Sequence, residues 1–297
     1  MTGLHGWLVV DKPVGPSSAA VVGKLKWALR QGGHGKVKIG HGGTLDPLAS
    51  GVLPIALGEA TKLSGYLLNG PKAYRFTISF GTATSTDDAE GEVVAQSPVR
   101  PTAEAIRAIL PRFTGPIRQR PPAYSALKVD GERAYARARA GESVELAARD
   151  LVIHALSLEE SGPDSATLHV HCSKGTYVRS LARDIAEALG TVGHVSLLRR
   201  TAAGPFALDQ ALSLDKCVEL VHGPAPEQAL LPLTAGLDDI PALAVDHHEA
   251  AALKQGKRLM GPRVKPGQYL ATDGPVPVAL VAVSEHDVRV VRGFNLT

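Results

Sequence analysis

Over residues 73–80 apolar and polar side chains alternate with a period of two. Tyr74, Phe76, Ile78 and Phe80 face one way; Arg75, Thr77 and Ser79 face the other. That pattern predicts a half-buried strand. Residues 6–10 (GWLVV) form a short apolar run, a buried strand that ends in the turn chemistry of Asp11-Lys12-Pro13-Val14-Gly15-Pro16. The spacing then changes. Val21, Val22, Leu25 and Leu29 share one helical face, and Ser17 or Ser18 is placed to cap it. Residues 31–43 read as a loop rich in Gly and Lys, and residues 81–91 as a polar loop with a strand returning over 92–95. Thr102 caps a short helix carrying Ile106, Ile109 and Leu110. Residues 151–158 and 166–172 form a strand pair around Gly162-Pro163. A helix starting at Thr176 carries Val178, Leu181, Ala182, Ile185 and Leu189 on one face, with Gly190 at its C-terminal cap. Between Val221 and Pro241 no long periodic segment occurs, so a boundary falls there. Beyond it come a short helix over 246–255, stopped by Gly256, and several short strands.

Length and composition narrow the class. The chain has 297 residues, enough for one large domain and a small one, and its 44% apolar content supports a sizeable core. A net charge of +3 says little until its distribution is considered. From Lys12 to Leu45 there is no Asp or Glu, yet Lys12, Lys24, Lys26, Arg30, Lys36 and Lys38 fall there with His34 and His41. A second basic run holds Arg112, Arg118, Arg120, Lys128, Arg133, Arg137 and Arg139. Two such runs fit a polyanion, and they also fit two solvated faces. Cys172 and Cys217 make neither a metal spacing nor a disulfide framework. The N-terminus lacks the regions of a signal peptide and no apolar run is long enough to span a bilayer, so a cytoplasmic protein is the default expectation.

Three segments could carry chemistry. The run from Gly40 to Pro54 places Asp46 before Pro47 in a Gly-rich loop. Glycines let backbone approach a ligand, and a following proline restricts Asp46 to extended geometry. A carboxylate held so rigidly is a candidate nucleophile or general base. The alternative is an Asp-Pro turn beside a core strand, which spacing alone favours. Lys174-Gly175-Thr176-Tyr177-Val178-Arg179 sits at a strand-to-helix junction. Arg179 there is either a partner for a buried carboxylate or an ordinary surface arginine. Tyr74 either stacks on a base or sits in the core with its hydroxyl at the rim. His41 and Leu198 read as a loop histidine and a core leucine. No metal set, P-loop or Ser/His/Asp order stands out, and no cofactor is expected.

Taken in order, these segments resemble the TruB-type pseudouridine synthases. Residues 6–18 are similar to that family's N-terminal motif and residues 40–54 to its catalytic motif. Lys72-Ala73-Tyr74 is similar to its Lys-x-Tyr element, Lys174 to Arg179 to its Gly-Thr-Tyr-x-Arg helix, and residues 193–200 to the segment that follows. The resemblance covers roughly residues 5–240. Gly42 and Ser50 stand where threonines are common, and the tail is only loosely similar to the PUA-like domain many members carry.

The resemblance implies an α+β fold: a mixed, mainly antiparallel sheet with flanking helices over 1–237 and a small β-rich, PUA-like RNA-binding domain over 238–297. It implies isomerisation of uridine 55 in the T-loop of tRNA, by base flipping and aspartate attack. Asp46 would be the nucleophile and Arg179 its partner. Tyr74 would stack on the base and take the C5 proton. Tyr177 and Leu198 would line the uracil pocket, and His41 would support the rearranged T-loop. The expected partner is the tRNA T-arm, the expected state a monomer. The alternatives are a synthase for another RNA, an RNA-binding chaperone of tRNA folding, and a small-molecule hydrolase using Asp46. The last is disfavoured by the basic runs and by the lack of a second well-placed carboxylate.

Overall fold

In chain order the elements are β1 (Gly6–Lys12), α1 (Ser18–Gln31), β2 (Ile39–His41), β3 (Ala49–Leu57), α2 (Ser64–Asn69), β4 (Lys72–Phe80), β5 (Thr82–Thr84), β6 (Val93–Gln96), α3 (Ala103–Ile109), β7 (Gly115–Gln119), β8 (Lys128–Val129) and β9 (Glu132–Arg133). Next come β10 (Arg149–Ser161), β11 (Ser165–Cys172), α4 (Val178–Ala188), β12 (Gly193–Ala203), β13 (Phe206–Ala207), β14 (Leu212–Ser213) and α5 (Leu214–His222). The tail holds β15 (Ala242–Ala244), α6 (His247–Lys254), β16 (Leu259–Met260), β17 (Gly267–Asp273), β18 (Val276–Val283) and β19 (Asp287–Gly293). This computed structural model describes residues 3–122, 146–237, 239–261 and 264–296, together with Tyr124, Lys128–Val129, Glu132–Arg133, Arg137 and Glu142. Arg139 of the second basic run lies outside the described residues.

One ten-stranded sheet runs β14-β1-β3-β12-β4-β11-β10-β7, with β2 on β3 and β13 on β12. Only β1 with β14 and β3 with β12 pair in parallel; the other pairs are antiparallel. The sheet is therefore mixed and mainly antiparallel, and the fold is α+β. The alternation in β4 has the physical meaning expected of it: Phe76, Ile78 and Phe80 are buried, while Arg75, Thr77 and Ser79 stay partly open. Helices α1 and α4 lie on the apolar face. Val21, Leu25, Ala28 and Leu29 of α1 join Val178, Leu181, Ala182 and Ile185 of α4 in one core with Phe76 and Ile78. Ser17 caps α1, accepting from the Ala20 amide at 3.1 Å.

Some boundaries differ from the sequence expectation. The loop over 31–43 contains β2, because residues 39–41 pair with β3. Helix α4 begins at Val178 rather than Thr176, since the Thr176 hydroxyl bonds the Ser173 carbonyl at 3.0 Å and Tyr177 is extended. The strand after the polar loop runs over Val93–Gln96. Neither β12 nor α5 was expected.

The second sheet, β15-β17-β18-β19-β16, forms the β-rich C-terminal part. Its own apolar cluster includes Leu253, Val281 and Val288. Its other face packs on the large sheet, where Leu270, Leu280 and Phe294 meet Trp7, Val52 and Phe206. Lys62 Nζ donates to the Gly293 carbonyl at 2.8 Å, and the Asn295 amide donates to Glu59 at 2.8 Å.

The sheet has one split that matters for the site. Residues 55–57 of β3 pair with β2, while residues 49–51 pair with β12. The segment between β2 and β3, residues 42–48, emerges where these two neighbours part company. Asp46 is on it.

Candidate active site

The segment carrying Asp46 is held by cations as well as by the apolar packing of Leu45 and Leu48. Lys12 is fully buried, and its ammonium donates to the carbonyls of Pro13 (2.9 Å), Pro16 (2.8 Å) and Pro47 (3.2 Å). It thereby ties the turn after β1 to the residue following Asp46. Arg200 is 1% exposed and donates to Val52 (2.7 Å), Thr44 (3.2 Å) and Gly43 (3.1 Å). Lys72 donates to Leu67 (2.9 Å), Leu68 (2.8 Å) and Gly70 (2.6 Å), the carbonyl-rich C-terminal end of α2. A buried cation without partners is prohibitively unfavourable, so each carbonyl cage is a precondition of the cation inside it. Burial pushes Lys12 and Lys72 down to about 8; nearby Arg200 adds to this in both, and Asp46 opposes it at Lys12.

The close approach of β3 to β12 requires a glycine. Gly51 has φ +103°, and a Cβ there would stand 2.1 Å from the Arg200 carbonyl oxygen. This contact sets Arg200 beside the catalytic loop. Ser18 completes the support: its hydroxyl donates to the Leu45 carbonyl at 2.9 Å and accepts from the Leu45 amide at 2.8 Å.

Asp46 itself is 40% exposed and opens into a cavity of about 320 Å³ lined also by Tyr74, Tyr177, Arg179, Leu198 and Arg200. Arg179 Nη2 meets Asp46 Oδ2 at 3.0 Å. The same guanidinium meets a second carboxylate, Asp88, through Nη1 at 3.0 Å. Arg179 also donates to the carbonyls of Thr86 and Tyr124, each at 3.0 Å. Its position one residue past Val178 takes it off the helix's core face, yet it is only 6% exposed, because the loop bearing Thr86 and Asp88 covers it.

Asp88 is 3% exposed. Thr86 and the Glu90 amide hydrogen-bond its carboxylate. The loop is pinned to β12: Ala89 N donates to Val195 O at 3.1 Å, and Val195 N to Asp87 O at 3.0 Å. Asp87 pairs with Arg183 at 2.7 Å, and burial still pushes its carboxyl upward against Arg183 and Arg179. Sequence reasoning missed Asp88. Two acids in a polar loop between strands give no local sign that one of them is buried against an arginine 91 residues away.

The other expected residues divide. Tyr74 pairs in register with Arg200, and both line the cavity. Burial raises the Tyr74 pKa, and Arg200 only partly opposes it, so a neutral phenol faces the cavity. Leu198 is 7% exposed and pairs with Ala49 and Phe76, so it is both a core leucine and a wall of the cavity. Tyr177 precedes α4, and its amide donates to buried Gln119 at 2.8 Å. His41 is not among the cavity-lining residues. It sits half-buried on β2 with Nδ1 buried and unpartnered among the described residues, and burial, then Arg200, lowers its pKa. No group of three or more His, Cys, Asp or Glu among the described residues is arranged to hold a metal ion, and none of the described helices is long and apolar enough to cross a membrane.

The cavity offers one carboxylate, Asp46, charge-paired with Arg179, with Tyr74, Tyr177 and Leu198 in the lining. It suits nucleophilic attack on a carbon that bears a flat, uncharged ring system drawn into the cavity.

Comparison with known proteins places this geometry in context. Residues 30–178 match the family model described as TruB family pseudouridylate synthase (N terminal domain), and residues 179–238 match the tRNA pseudouridylate synthase B C-terminal domain. A protein of Zymomonas mobilis subsp. mobilis named tRNA pseudouridine synthase B is 54% identical over 98% of this chain and 96% of its own length. One of the same name from Novosphingobium aromaticivorans is 56% identical over 99% of this chain and 98% of its own. Among solved structures, a Cbf5-Nop10-Gar1 complex contains a chain that is 26% identical, with a TM-score of 0.75 over 98% of this chain and 85% of that one. A chain in an H/ACA RNP bound to a substrate RNA containing 2′-deoxyuridine shares the fold, with a TM-score of 0.75 at 24% identity and the same coverages.

Proposed function

The chain belongs to the TruB family of pseudouridine synthases, and from that premise we propose that it isomerises uridine 55 in the T-loop of tRNA with Asp46 as the nucleophile. The enzyme class is an isomerase. The C1′–N1 bond of the uridine breaks, a C1′–C5 bond forms, C5 gives up its proton and N1 gains one. Every heavy atom of the product comes from the substrate, so the reaction balances without an outside group. Support for tRNA comes from the name shared by relatives aligned over nearly the whole chain. Support for the T-loop comes from the order of the five sequence motifs.

The observation that carries the proposal is the meeting of Asp46, Tyr74, Tyr177, Arg179 and Leu198 at one cavity, from segments far apart in the chain. Extruding a base costs a few kcal/mol, and stacking on Tyr74 returns about 1–3 kcal/mol. Tyr177 and Leu198 form the walls. The Asp46 carboxylate attacks C1′ as the C1′–N1 bond breaks, and the Asp46–C1′ bond breaks in turn when C5 bonds C1′. As its charge is consumed in the new bond, Arg179 keeps a full counter-charge in Asp88, so the buried guanidinium is never left unpaired. Tyr74 starts as a neutral phenol, and in that form it stacks. As the C1′–N1 bond breaks it gives its own proton to N1, and the phenolate so formed, beside Arg200, takes the C5 proton. His41, on β2 beside the catalytic loop, supports the rearranged T-loop. Residues 1–237 act as the catalytic domain, and residues 238–297 as an RNA-binding domain. The protein works as a monomer in the cytoplasm, where the basic runs hold RNA phosphates.

A T-arm stem-loop transcript and an anticodon stem-loop transcript test the substrate assignment. We expect one pseudouridine in the first and none in the second, read by base-specific chemical mapping. Conversion of the anticodon arm alone would overturn the T-loop assignment.

A pH dependence follows from the buried lysines. Lys12 and Lys72 lie at about 8, so both lose their charge as pH rises through that value, while an ordinary lysine stays charged. Their carbonyl cages loosen on the alkaline side, around the catalytic loop and beside Tyr74. The single-turnover rate should therefore fall above pH 8 along a limb with an apparent pKa near 8. A rate flat from pH 7 to pH 10 would contradict this.

A further inference from the structure

Helix α1 carries a feature that the cavity does not use. Trp27 is 58% exposed, in a chain with only two tryptophans. The other, Trp7, is fully buried against Phe206 and donates to the Leu233 carbonyl. Lys24 and Arg30 lie three residues to either side of Trp27, on the same helical face, and Lys26 is next to it. Lys24 shares an exposed ion pair with Asp215, and no ion pair is recorded for Lys26 or Arg30 among the described residues.

The position four residues before Trp27 is Gly23. A helical side chain lies over the turn that precedes it, so the indole has Lys24 beside it at one position and no side chain at the other. A Cβ at Gly23 would meet nothing within 4 Å, so no packing contact requires the glycine, although a mid-helix glycine weakens the helix. The gap leaves a ring face open. The helix is fixed to the catalytic loop at its start, through Ser18 and Leu45. Trp27 stands about 14 Å along the axis from Ser18. The whole stretch from Lys12 to Leu45 lacks an acidic side chain.

We propose that this face of α1 is a second contact for the substrate RNA, in which a base outside the reacting nucleotide stacks on Trp27 and Lys26 and Arg30 hold the adjacent phosphates. An open indole flanked by cations matches the two recurrent elements of RNA binding, a stacking surface and a charge track. The proposal rests on the RNA-modifying function given above, and it adds affinity rather than chemistry.

Because Trp7 is buried, acrylamide quenching of tryptophan emission reports chiefly on Trp27. T-arm RNA should protect wild-type emission from quenching, and Trp27→Phe should lose the quenchable signal. Trp27→Ala should raise the Kd for the RNA about tenfold, with conversion at saturating RNA unchanged and Trp27→Tyr restoring affinity. Lys26→Gln with Arg30→Gln should reduce the salt slope of binding by about two. Unchanged quenching, with unchanged affinity in Trp27→Ala, would overturn the proposal while pseudouridine formation stood. Protection that grows with protein concentration in the absence of RNA would assign the surface to a second copy of the chain and also overturn it. RNA protection of Trp27 without pseudouridine formation would uphold the surface and sink the catalytic assignment instead.

Discussion

Arg179→Met is expected to lower stability by about 3–5 kcal/mol, the range for breaking a buried ion pair from one side, and to abolish conversion. The reason lies in the geometry. Arg179 is the shared cation of two carboxylates, each at 3.0 Å, and Asp88 is 3% exposed. Removing the guanidinium leaves Asp88 buried and charged, with Asp46 close by and of the same sign. It also strips a donor from the carbonyls of Thr86 and Tyr124. Methionine fills much of the volume, so a cavity contributes little to the loss. Arg179→Lys should fare only partly better, because a single ammonium does not reproduce a planar fork that reaches two carboxylates. Arg179→Met combined with Asp88→Asn should regain much of the stability without regaining activity, a non-additivity expected of residues in one network. Urea unfolding of the three proteins at pH 7 measures it. A loss below 1 kcal/mol in Arg179→Met would show that the pair is not held as described.

Several elements could be read directly from the chain. The β4 alternation, the apolar faces of α1 and α4, and the turn after β1 each declare themselves within a few residues. Asp46 and Arg179 meet as the motif resemblance implied. Strand β12 could not be read in the same way. Its ladder with β4 shifts register between Val195 and Leu197 and again between Arg200 and Ala202, which breaks the two-residue period. It also points an arginine inward: Arg200 is 1% exposed and is satisfied by carbonyls from β3 and the catalytic loop. Lys12 and Lys72 stand in the motifs that carry the resemblance, but their burial is not legible for the same reason. A lysine in a sequence reads as surface, and only the tertiary arrangement shows three carbonyls around its ammonium. Asp88 is the most consequential omission, since the clamp on Asp46 has three members rather than two. The small-molecule alternative gains nothing from this second carboxylate, because Asp88 is sealed behind Arg179 and does not line the cavity.

The central claim is that Asp46 is the nucleophile of an RNA uridine isomerisation. Asp46→Asn tests it most directly, because the amide keeps the shape of the side chain and Arg179 retains Asp88 as its ionic partner. The measurement is pseudouridine formation in an unmodified T-arm stem-loop, run beside RNA binding by the same protein. The account predicts binding within about twofold of wild type, since the phosphate and stacking contacts are untouched, and a conversion rate lower by more than about 10⁴-fold, the scale of losing a nucleophile. An Asp46→Asn variant that binds the RNA and converts it within tenfold of the wild-type rate would contradict the assignment.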